Sequence, residues 1–282
     1  MANILNHLGQ PVGEPLPGWK PPPRPPRTAM EGRYCRLEPL DPEVHAESLY
    51  AGFALDPEGR NWTYLPYGPF GAYGPFEGLE AYRAWMKETC LGDDPLFFAI
   101  IQLTGDRTGD QHGGKALGVA SYLRIMPESG SIEVGHVLYT ERLKRGAGAT
   151  EAMYLMMENV FKLGYRRYEW KSDALNAASR AAAQRLGFSY EGIFRQATVY
   201  KGRNRDTAWY AVTDSDWPRL REAYRQWLDP ANFDEQGKQR RRLSEMTRAM
   251  LRGGRVSEIG VSPLKGAAKN NRPLRPRPEG LG

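Results

Sequence analysis

A short basic turn rich in glycine is the part of this chain whose residues and spacing point most directly to chemistry. Residues 132–139 have the apolar pattern of a strand, residues 144–149 form a glycine–alanine turn, and an amphipathic helix is predicted from about Thr150. The first turn of a helix has backbone N–H groups without intrahelical partners, and the helix dipole adds positive potential there. Glycine lets an anion approach the backbone closely, so the turn is a candidate phosphate site for a nucleotide-like cofactor. The residues of this candidate site are Lys144, Arg145, Gly146, Ala147, Gly148, Ala149 and Thr150.

The same turn could serve packing alone, so the residues that follow it must decide between the two interpretations. The sequence has no GxxxxGK motif followed by Ser or Thr, and no GxGxxG motif with an acidic residue ending the next strand. These absences argue against the common nucleotide-binding folds. A strand is predicted at 165–171, and residues 173–180 turn into a second helix. That helix ends at Leu-Gly-Phe, where Gly187 has the C-cap position.

In this order of elements the chain resembles the GCN-five-related N-acetyltransferase (GNAT) superfamily, and within it the ribosomal-protein N-terminal acetyltransferases (RimJ/RimL type). The matching motifs are Thr-Glu-Ala at 150–152, Asn-x-x-Ser at 176–179 and Leu-Gly-Phe at 186–188, and the resemblance covers roughly residues 33–217. The turn departs from the family pattern Q/R-x-x-G-x-G/A. Lys144 has the glutamine position, Ala147 has the first glycine position, and the glycines are displaced to 146 and 148.

The resemblance and the pattern of elements predict the same fold. Apolar runs and turn signals predict about seven strands and five helices in alternation, ending in a hairpin at 188–212 and a closing helix at 214–228. The expected α/β (α+β) fold is a GNAT-like mixed, largely antiparallel seven-stranded sheet with helices on both faces. Asp41 is expected to cap the first helix.

The resemblance implies acetyl-CoA as co-substrate and no metal, with the acetyl group passing directly to an amine in a ternary complex. Such a transfer needs a neutral amine, a donor for the developing oxyanion and a proton for the leaving thiolate. Glu133 is the candidate base, acting through water. Strand alternation predicts that Glu133, Gly135 and Val137 share one face, with His136 on the other face as a structural histidine. An outward-facing strand glutamate is the alternative for Glu133.

The other candidate groups lie on the same strand and at the second helix. Backbone N–H groups of Val137, Leu138 and Tyr139 would polarise the thioester carbonyl and bind the pantetheine arm, because the family's sheet splays there. Ser179 is the candidate donor to the thiolate, and Asn176 is expected to hydrogen-bond the pantetheine. Both residues could also cap the second helix, and the two roles are compatible.

An aromatic segment at 61–76 contains too much glycine and proline for a helix or a strand. Its rings could close the edge of the core. They could instead form the wall of an acceptor pocket, where this family places its acceptor and where aromatic faces hold a cation or a flat group. The candidate substrate-binding residues are Trp62, Tyr64, Tyr67, Phe70 and Tyr73.

Composition predicts one folded domain with two extensions. A proline-rich arm at 1–32 precedes the acetyltransferase domain at 33–232 and a basic, partly disordered tail at 233–282. The tail has 12 Lys+Arg against 5 Asp+Glu, which leaves 27 against 28 in residues 1–232. Cys35 and Cys90 are expected to be buried thiols. With no apolar run long enough for a membrane span and no signal-peptide core, a cytoplasmic protein is expected.

Two other classes of function remain open at this stage: a non-catalytic acyl-CoA-binding module, and an adaptor that binds nucleic acid through the basic tail. The second is disfavoured because the tail has almost no aromatic residues among its basic ones. The expected partner is an amine acceptor, either a protein N-terminus or a small molecule, and the chain is expected to be a monomer or homodimer.

Overall fold

A mixed sheet forms the centre of the molecule in the computed structural model, which describes residues 4–68, 78–103 and 114–252. The strands are β1 (Ile4–Leu5), β2 (Pro11–Val12), β3 (Met30–Glu31), β4 (Cys35–Pro39), β5 (Leu96–Gln102), β6 (Ala116–Met126), β7 (Ser131–Tyr139), β8 (Arg167–Asp173), β9 (Ser189–Tyr200) and β10 (Arg203–Thr213). β1 and β2 form a separate hairpin, and the other eight have the order β3-β4-β5-β6-β7-β8-β10-β9. Only β7 and β8 are parallel neighbours in the described part of this sheet. The predicted fold class is confirmed, with one additional strand because β3 pairs with β4.

Helices cover both faces of the sheet. The helices are α1 (Pro42–Phe53), α2 (Leu79–Thr89), α3 (Ala147–Leu163), α4 (Ala177–Arg185), α5 (Trp217–Leu228) and α6 (Leu243–Arg252). The apolar residues of β5 explain this layering: Phe98 and Ile100 pack in the core beneath α3 to α6, whereas Phe97 and Ile101 pack beneath α1 and α2. A strand buried on both faces has a continuous apolar run instead of an alternating one. No helix in the described ranges is both long and apolar enough to cross a bilayer.

Local signals in the sequence place several helix ends and core residues. The Asp41 side chain accepts a hydrogen bond from the Glu43 backbone N–H and caps α1, as expected. Tyr82 and Met86 are the buried residues of α2. Cys35 and Cys90 are free, buried thiols, one in each core cluster.

The parallel pair β7 and β8 separates partway along its length. Their register runs from Ser131 opposite Arg167 to Val134 opposite Trp170 and stops there. β7 continues to Tyr139 with pairing only to β6. A gap therefore opens between the two strands beyond Val134, next to the start of α3.

The proline-rich arm packs along the domain. Arg24 donates to the carbonyl oxygens of Asp93 (3.2 Å) and Ile125 (3.5 Å), and the Arg27 guanidinium donates to the Asp93 carboxylate. The Arg166 guanidinium lies 5.9 Å from the centre of the Trp19 ring. The arm is thus attached at both ends of the β6–β7 turn.

The expected boundary at 232/233 does not coincide with the end of the packed residues. Leu243 and Met246 of α6 are 1% and 3% exposed and belong to the core cluster that contains α3. Trp227 Nε1 donates to Gln239 Oε1 (2.9 Å), and Thr247 Oγ1 donates to the Arg185 carbonyl (3.2 Å). The high charge of this segment concealed the apolar face of α6, which packs on α4 and α5.

Candidate active site

The turn before α3 presents free backbone N–H groups. α3 begins at Ala147, three residues before the predicted start, and its N-cap Gly146 has an extended backbone with no side-chain cap. The N–H groups of residues 147–149 therefore have no intrahelical acceptor. Arg145 has a positive φ of 62° and turns the chain into the helix. This geometry agrees with an anion-binding helix N-terminus.

The two glycines of the turn have different surroundings. A Cβ on Gly148 would face inward, 3.5 Å from the Tyr34 carbonyl oxygen and 3.6 Å from Cys35 Cβ. A Cβ on Gly146 would lie 3.3 Å from the Leu143 carbonyl oxygen and 4.0 Å from the Gly148 nitrogen. Gly146 therefore borders the free N–H groups, whereas a Cβ on Gly148 would contact β4 at ordinary distances.

Side chains near the turn have partners within the protein. Lys144 Nζ donates to Asn61 Oδ1 and Glu141 Oε1, so it ties the turn to the loop after α1. Thr150 is buried, and its Oγ1 accepts from Arg185 Nη1 at 3.2 Å. Arg185 forms no ion pair with the described carboxylates. Sequence reasoning missed it, because α4 brings it to α3 only in the folded chain.

Glu151 of the Thr-Glu-Ala motif has a structural role. Its buried carboxylate accepts from the backbone N–H groups of Arg33 (2.9 Å), Tyr34 (2.6 Å) and Cys35 (2.8 Å). It thereby holds the β3–β4 turn against the first turn of α3. Burial, reinforced by this carboxylate, raises the pKa of the Cys35 thiol.

A β-bulge in β7 changes which of its residues face α1 and α2. The pairing moves from Ser121–Gly135 to Val119–Leu138, so Ala120 faces both His136 and Val137. His136 has a positive φ of 49° at this bulge.

The predicted alternation along β7 is therefore wrong after Gly135. Val137 packs with Tyr139 against the core beneath α3. The His136 ring instead contacts Phe97 on the α1–α2 side, where Glu133 also lies because its neighbours Ile132 and Val134 face α3. Glu133 and His136 share one face because the bulge adds a residue.

Glu133 is buried between two cations. It is 3% exposed, and its Oε2 lies 2.8 Å from Arg124 Nη1 and 2.9 Å from Lys171 Nζ. Its Oε1 makes no hydrogen bond to the described residues and lies 3.7 Å from where a Cβ on Gly135 would be. Burial raises the pKa of Glu133, although Lys171 and Arg124 act in the opposite direction. One oxygen is thus held by two cations, while the other lies beside Gly135.

A second bulge, in β6, places Arg124 at Glu133. Arg124 has a positive φ of 46°, and the Asp94 carboxylate accepts from the backbone N–H groups of Arg124 (2.8 Å) and Ile125 (2.9 Å). Arg24 of the arm lies 3.8 Å from the same carboxylate. Contacts far apart in sequence therefore orient the cation that holds Glu133.

Arg124 on β6, Glu133 on β7 and Lys171 on β8 form a row of charged side chains across three strands. Lys171 Nζ also contacts Glu169 Oε2 at 2.8 Å and lies 3.8 Å from the centre of the Trp209 ring. Arg167 forms ion pairs with Glu169 and Glu191. The cations of this row are matched by carboxylates.

His136 and Tyr67 form a stacked, hydrogen-bonded pair. Tyr67 Oη lies 2.8 Å from His136 Nδ1, and the ring planes differ by 14°. Burial, with a contribution from Arg124, lowers the pKa of His136 to about 4, so its imidazole is neutral near pH 7. Burial also raises the pKa of Tyr67. Apart from the two residue types, no sequence pattern predicted this pair.

Ser179 and Asn176 lie together at the start of α4. Asn176 Oδ1 accepts from the Ser179 N–H at 3.0 Å, which confirms the expected helix cap. Ser179 Oγ accepts from Trp170 Nε1 at 2.9 Å. The Ser179 hydroxyl hydrogen has no acceptor among the described residues, so it can be donated elsewhere. Trp170 is the last residue of β8 that pairs with β7, which places Ser179 beside the gap.

The described part of the aromatic segment contains one ring buried in the core and one that lies partly at the surface. Trp62 is 2% exposed and packs edge-on against Phe53, with ring centres 5.2 Å apart. This ring closes the core, as one of the two interpretations predicted. Tyr64 is half-buried, and its hydroxyl donates to the Leu175 carbonyl at 3.3 Å. Phe70 and Tyr73 lie outside the described residues.

Comparison with known proteins identifies the family. The model of the acetyltransferase (GNAT) domain matches residues 35–189. A crystal structure of a GCN5-related N-acetyltransferase from Brucella melitensis is 43% identical, with a TM-score of 0.74, and the match covers 83% of this chain and 100% of that chain. A structure from Chromobacterium violaceum, described as a "probable" acetyltransferase of the GNAT family, is 38% identical, with a TM-score of 0.64 and coverage of 74% and 98%.

A more distant solved structure shares the fold of this chain. The microcin C7 self immunity acetyltransferase MccE, in complex with acetyl-CoA and AMP, is 17% identical, with a TM-score of 0.51 and coverage of 64% and 93%, and shares the fold. No curated protein matches the chain. The family match spans more than half of the sequence and agrees with the strand gap, the α3 N-terminus and the capped start of α4. The chain therefore belongs to the GNAT acetyltransferase family.

Proposed function

We propose that this acetyl-CoA-dependent N-acetyltransferase moves the acetyl group to a primary amine by direct attack in a ternary complex. The acceptor is a protein N-terminus or a small-molecule amine, and the sequence motifs favour the ribosomal-protein N-terminal branch of the family. The observation that carries the proposal is the gap between β7 and β8. It has Glu133 on one side of the sheet and the free N–H groups of α3 and the Ser179 hydroxyl on the other.

The start of α3 is the proposed phosphate site of acetyl-CoA. Backbone N–H groups of residues 147–149, next to Gly146, would hold the phosphates, with Thr150 supporting the turn from within. Lys144 and Arg145 would add positive potential, and Lys144 also orders the loop that contains Asn61. Asn176 would contact the pantetheine arm from the start of α4 while it caps that helix.

The unpaired part of β7 is the proposed binding edge for the acetyl thioester that acetyl-CoA supplies. Residues 137–139 have β6 on one side and no β8 pairing on the other. Backbone N–H groups there would donate to the carbonyl oxygen as negative charge develops on it. The bulge at His136 supports this role, because bulges locally release backbone groups from the ladder.

Glu133 is the proposed base, acting through water. Its Oε2 is fixed by Arg124 and Lys171, so only Oε1 is available to accept a proton. Burial raises the pKa of this carboxyl above its ordinary value, which makes it a stronger general base. Ser179 is the proposed proton donor to the leaving thiolate, since its hydroxyl already accepts from Trp170 and has its hydrogen to give.

The acceptor would approach from the face that contains Glu133 and His136. Tyr64 and Tyr67 border this face, and Trp62 supports the loop from the core. Phe70 and Tyr73 are proposed parts of the same wall. A panel of amines and free-N-terminal peptides, assayed with acetyl-CoA by thiol release, tests the proposal. Acceptor-dependent thiol release with an acetylated product supports it, and release that no amine accelerates contradicts it.

A further inference from the structure

The β9–β10 hairpin reaches over the acceptor face. Lys201 at its tip donates to the Trp62 carbonyl at 2.7 Å, and Tyr200 donates to Asp173 Oδ2 at 2.9 Å. A bulge at Gln196, with φ of 51°, bends the hairpin, and Asp206 accepts from the Gln196 N–H at 2.8 Å. The hairpin tip is thereby joined to the loop after α1 and to the end of β8.

Pairing along the sheet shows which hairpin residues face the acceptor. Lys171 pairs with Trp209, and the ammonium of Lys171 lies over that ring, so Trp209 is on the Glu133 face. Alternate residues of a strand share a face, which places Arg205 and Arg203 on the same side as Trp209. The Arg205 guanidinium lies 5.8 Å from the Tyr200 ring centre, and Tyr200 contacts Asp173 on this face.

The positive charge of the hairpin is not balanced locally. Arg203 and Arg205 form no ion pair with any described carboxylate, unlike Arg124, Lys171 and Arg167 farther along the face. Asp173, the nearby acid on this face, is 5% exposed and accepts from Tyr200 and from the Leu175 N–H. The Asp206 carboxylate is on the other side of β10 and accepts from Gln196 and Asn204. The acceptor side of the hairpin is therefore cationic.

We propose that the acceptor is an acidic peptide whose N-terminal amine reaches the β7–β8 gap while its carboxylates pair with Arg203 and Arg205. This inference rests on the proposed acetyl transfer and adds the class of acceptor. Side chains two residues apart on a strand are about 6.4–6.8 Å apart, which matches alternate carboxylates of an extended peptide. Guanidinium groups bind carboxylates through paired hydrogen bonds.

The shape and composition of the hairpin favour a peptide over a polyphosphate chain. β9 is the last strand in the order of the sheet, so one side of its backbone has no strand partner among the described residues. Phe194 on β9 is 55% exposed and stacks on Trp209 with ring centres 4.4 Å apart, so these two rings offer apolar contact beside the arginines. An extended peptide can use the strand edge and the apolar side chains together.

Two matched peptides test this proposal on the full chain. Both have a free N-terminus and the same length; one has glutamate at alternate positions, and the other has glutamine there. We expect kcat/KM to be about tenfold higher for the glutamate peptide, and the preference to weaken as salt rises. The double variant Arg203→Glu/Arg205→Glu should remove or reverse the preference. Its turnover of a small amine without acidic groups should stay within about twofold of the wild type.

A charge-matched control separates a local effect from a change in net charge: Lys20→Glu lowers the net charge by two, as does each of the single variants Arg203→Glu and Arg205→Glu. Lys20→Glu changes an exposed residue next to Trp19, which lies at the start of β7 and so at the opposite end from the hairpin tip. This variant should keep the glutamate preference, and Arg203→Lys/Arg205→Lys should retain most of it. Equal use of the two peptides by the wild type would overturn the inference. A loss of the glutamate preference in Lys20→Glu as large as that in either single arginine variant would also overturn it.

A binding measurement separates this inference from the proposed reaction. Peptides labelled at the C-terminus are titrated with the protein and CoA and followed by fluorescence anisotropy. Selective binding of the glutamate peptide that is lost in the double Glu variant supports the inference. If such binding occurs without acetyl transfer, only the proposed reaction is contradicted. Equal binding of both peptides, or stronger binding of a short oligonucleotide that competes with them, overturns it.

Discussion

Lys171 Nζ lies 2.9 Å from Glu133 Oε2 on one face of the sheet, and both side chains are almost fully buried. Lys171 also contacts Glu169 and the Trp209 ring, so the ammonium is held from three sides. This pairing limits the rise in the pKa of Glu133 that burial causes, because the nearby cation favours the charged carboxylate. The acid–base behaviour of Glu133 therefore depends on a residue of the neighbouring strand.

Replacing Lys171 should move the pH profile of the reaction. In Lys171→Met the pKa of Glu133 rises further, since an adjacent cation typically lowers a carboxyl pKa by about 1–3 pH units. The acidic limb of kcat/KM should move to higher pH by at least about 1 unit. Lys162→Met, at an exposed lysine of α3, is the control and should leave the limb in place. An unchanged limb in Lys171→Met would show that Glu133 does not determine it.

Cofactor affinity should depend on Gly146 more than on Gly148. A branched side chain at Gly146 would cover the free N–H groups at the start of α3, so Gly146→Val should weaken CoA binding at least about tenfold. Gly148→Ala meets its neighbours at ordinary contact distances and should leave the dissociation constant within about twofold. Calorimetric titration with CoA measures both, and the reverse ranking would exclude the proposed phosphate site.

Removal of α6 should destabilise the fold. Leu243 and Met246 are buried in the core, and exposing two such side chains costs about 3–6 kcal/mol. A chain ending at 232 should lose about this much free energy of unfolding, measured in urea. A chain ending at 252 keeps α6 and should therefore keep the stability of the full chain. Equal stability of the two truncated chains would mean that α6 contributes nothing to the fold.

His136 should make the stability of the protein depend on pH. Its folded pKa of about 4 lies below the ordinary value of 6.5, so the unfolded chain binds more protons between these values. Stability should therefore fall as pH decreases through this window, by about 2 kcal/mol between pH 7 and pH 5. Urea unfolding of the wild type, His136→Gln and the exposed-site control His7→Gln at both pH values measures this. A His136→Gln variant with the full wild-type pH dependence would assign the effect to other groups.

Short-range patterns were sufficient to predict much of the fold and part of the site. The apolar run of β5, the Asp41 cap, the glycine turn before α3 and the Asn176 cap depend on residues close together in sequence. Each of these features could be predicted from local spacing and residue type.

Features that depend on distant contacts could not be predicted in this way. The bulge at His136 reverses the expected alternation, and it is visible only in the pairing with β6. Likewise, Arg124 reaches Glu133 because Asp94 holds the backbone of a second bulge, 30 residues away along the chain. The orientation of Gly148 toward Tyr34 follows from the packing of α3 on β4. Nothing in local composition signals these relationships.

A pH–rate profile of wild type, Glu133→Gln and Ser179→Ala with one accepted amine tests the central claim most directly. General-base assistance is worth about 10²–10⁴-fold, so Glu133→Gln should lose most activity below the pKa of the amine and less as pH rises. Ser179→Ala should lower turnover with a flatter pH dependence, because departure of the thiolate does not depend on protonation of the amine. Both variants should bind CoA like the wild type. A Glu133→Gln profile that overlays that of the wild type would contradict the account.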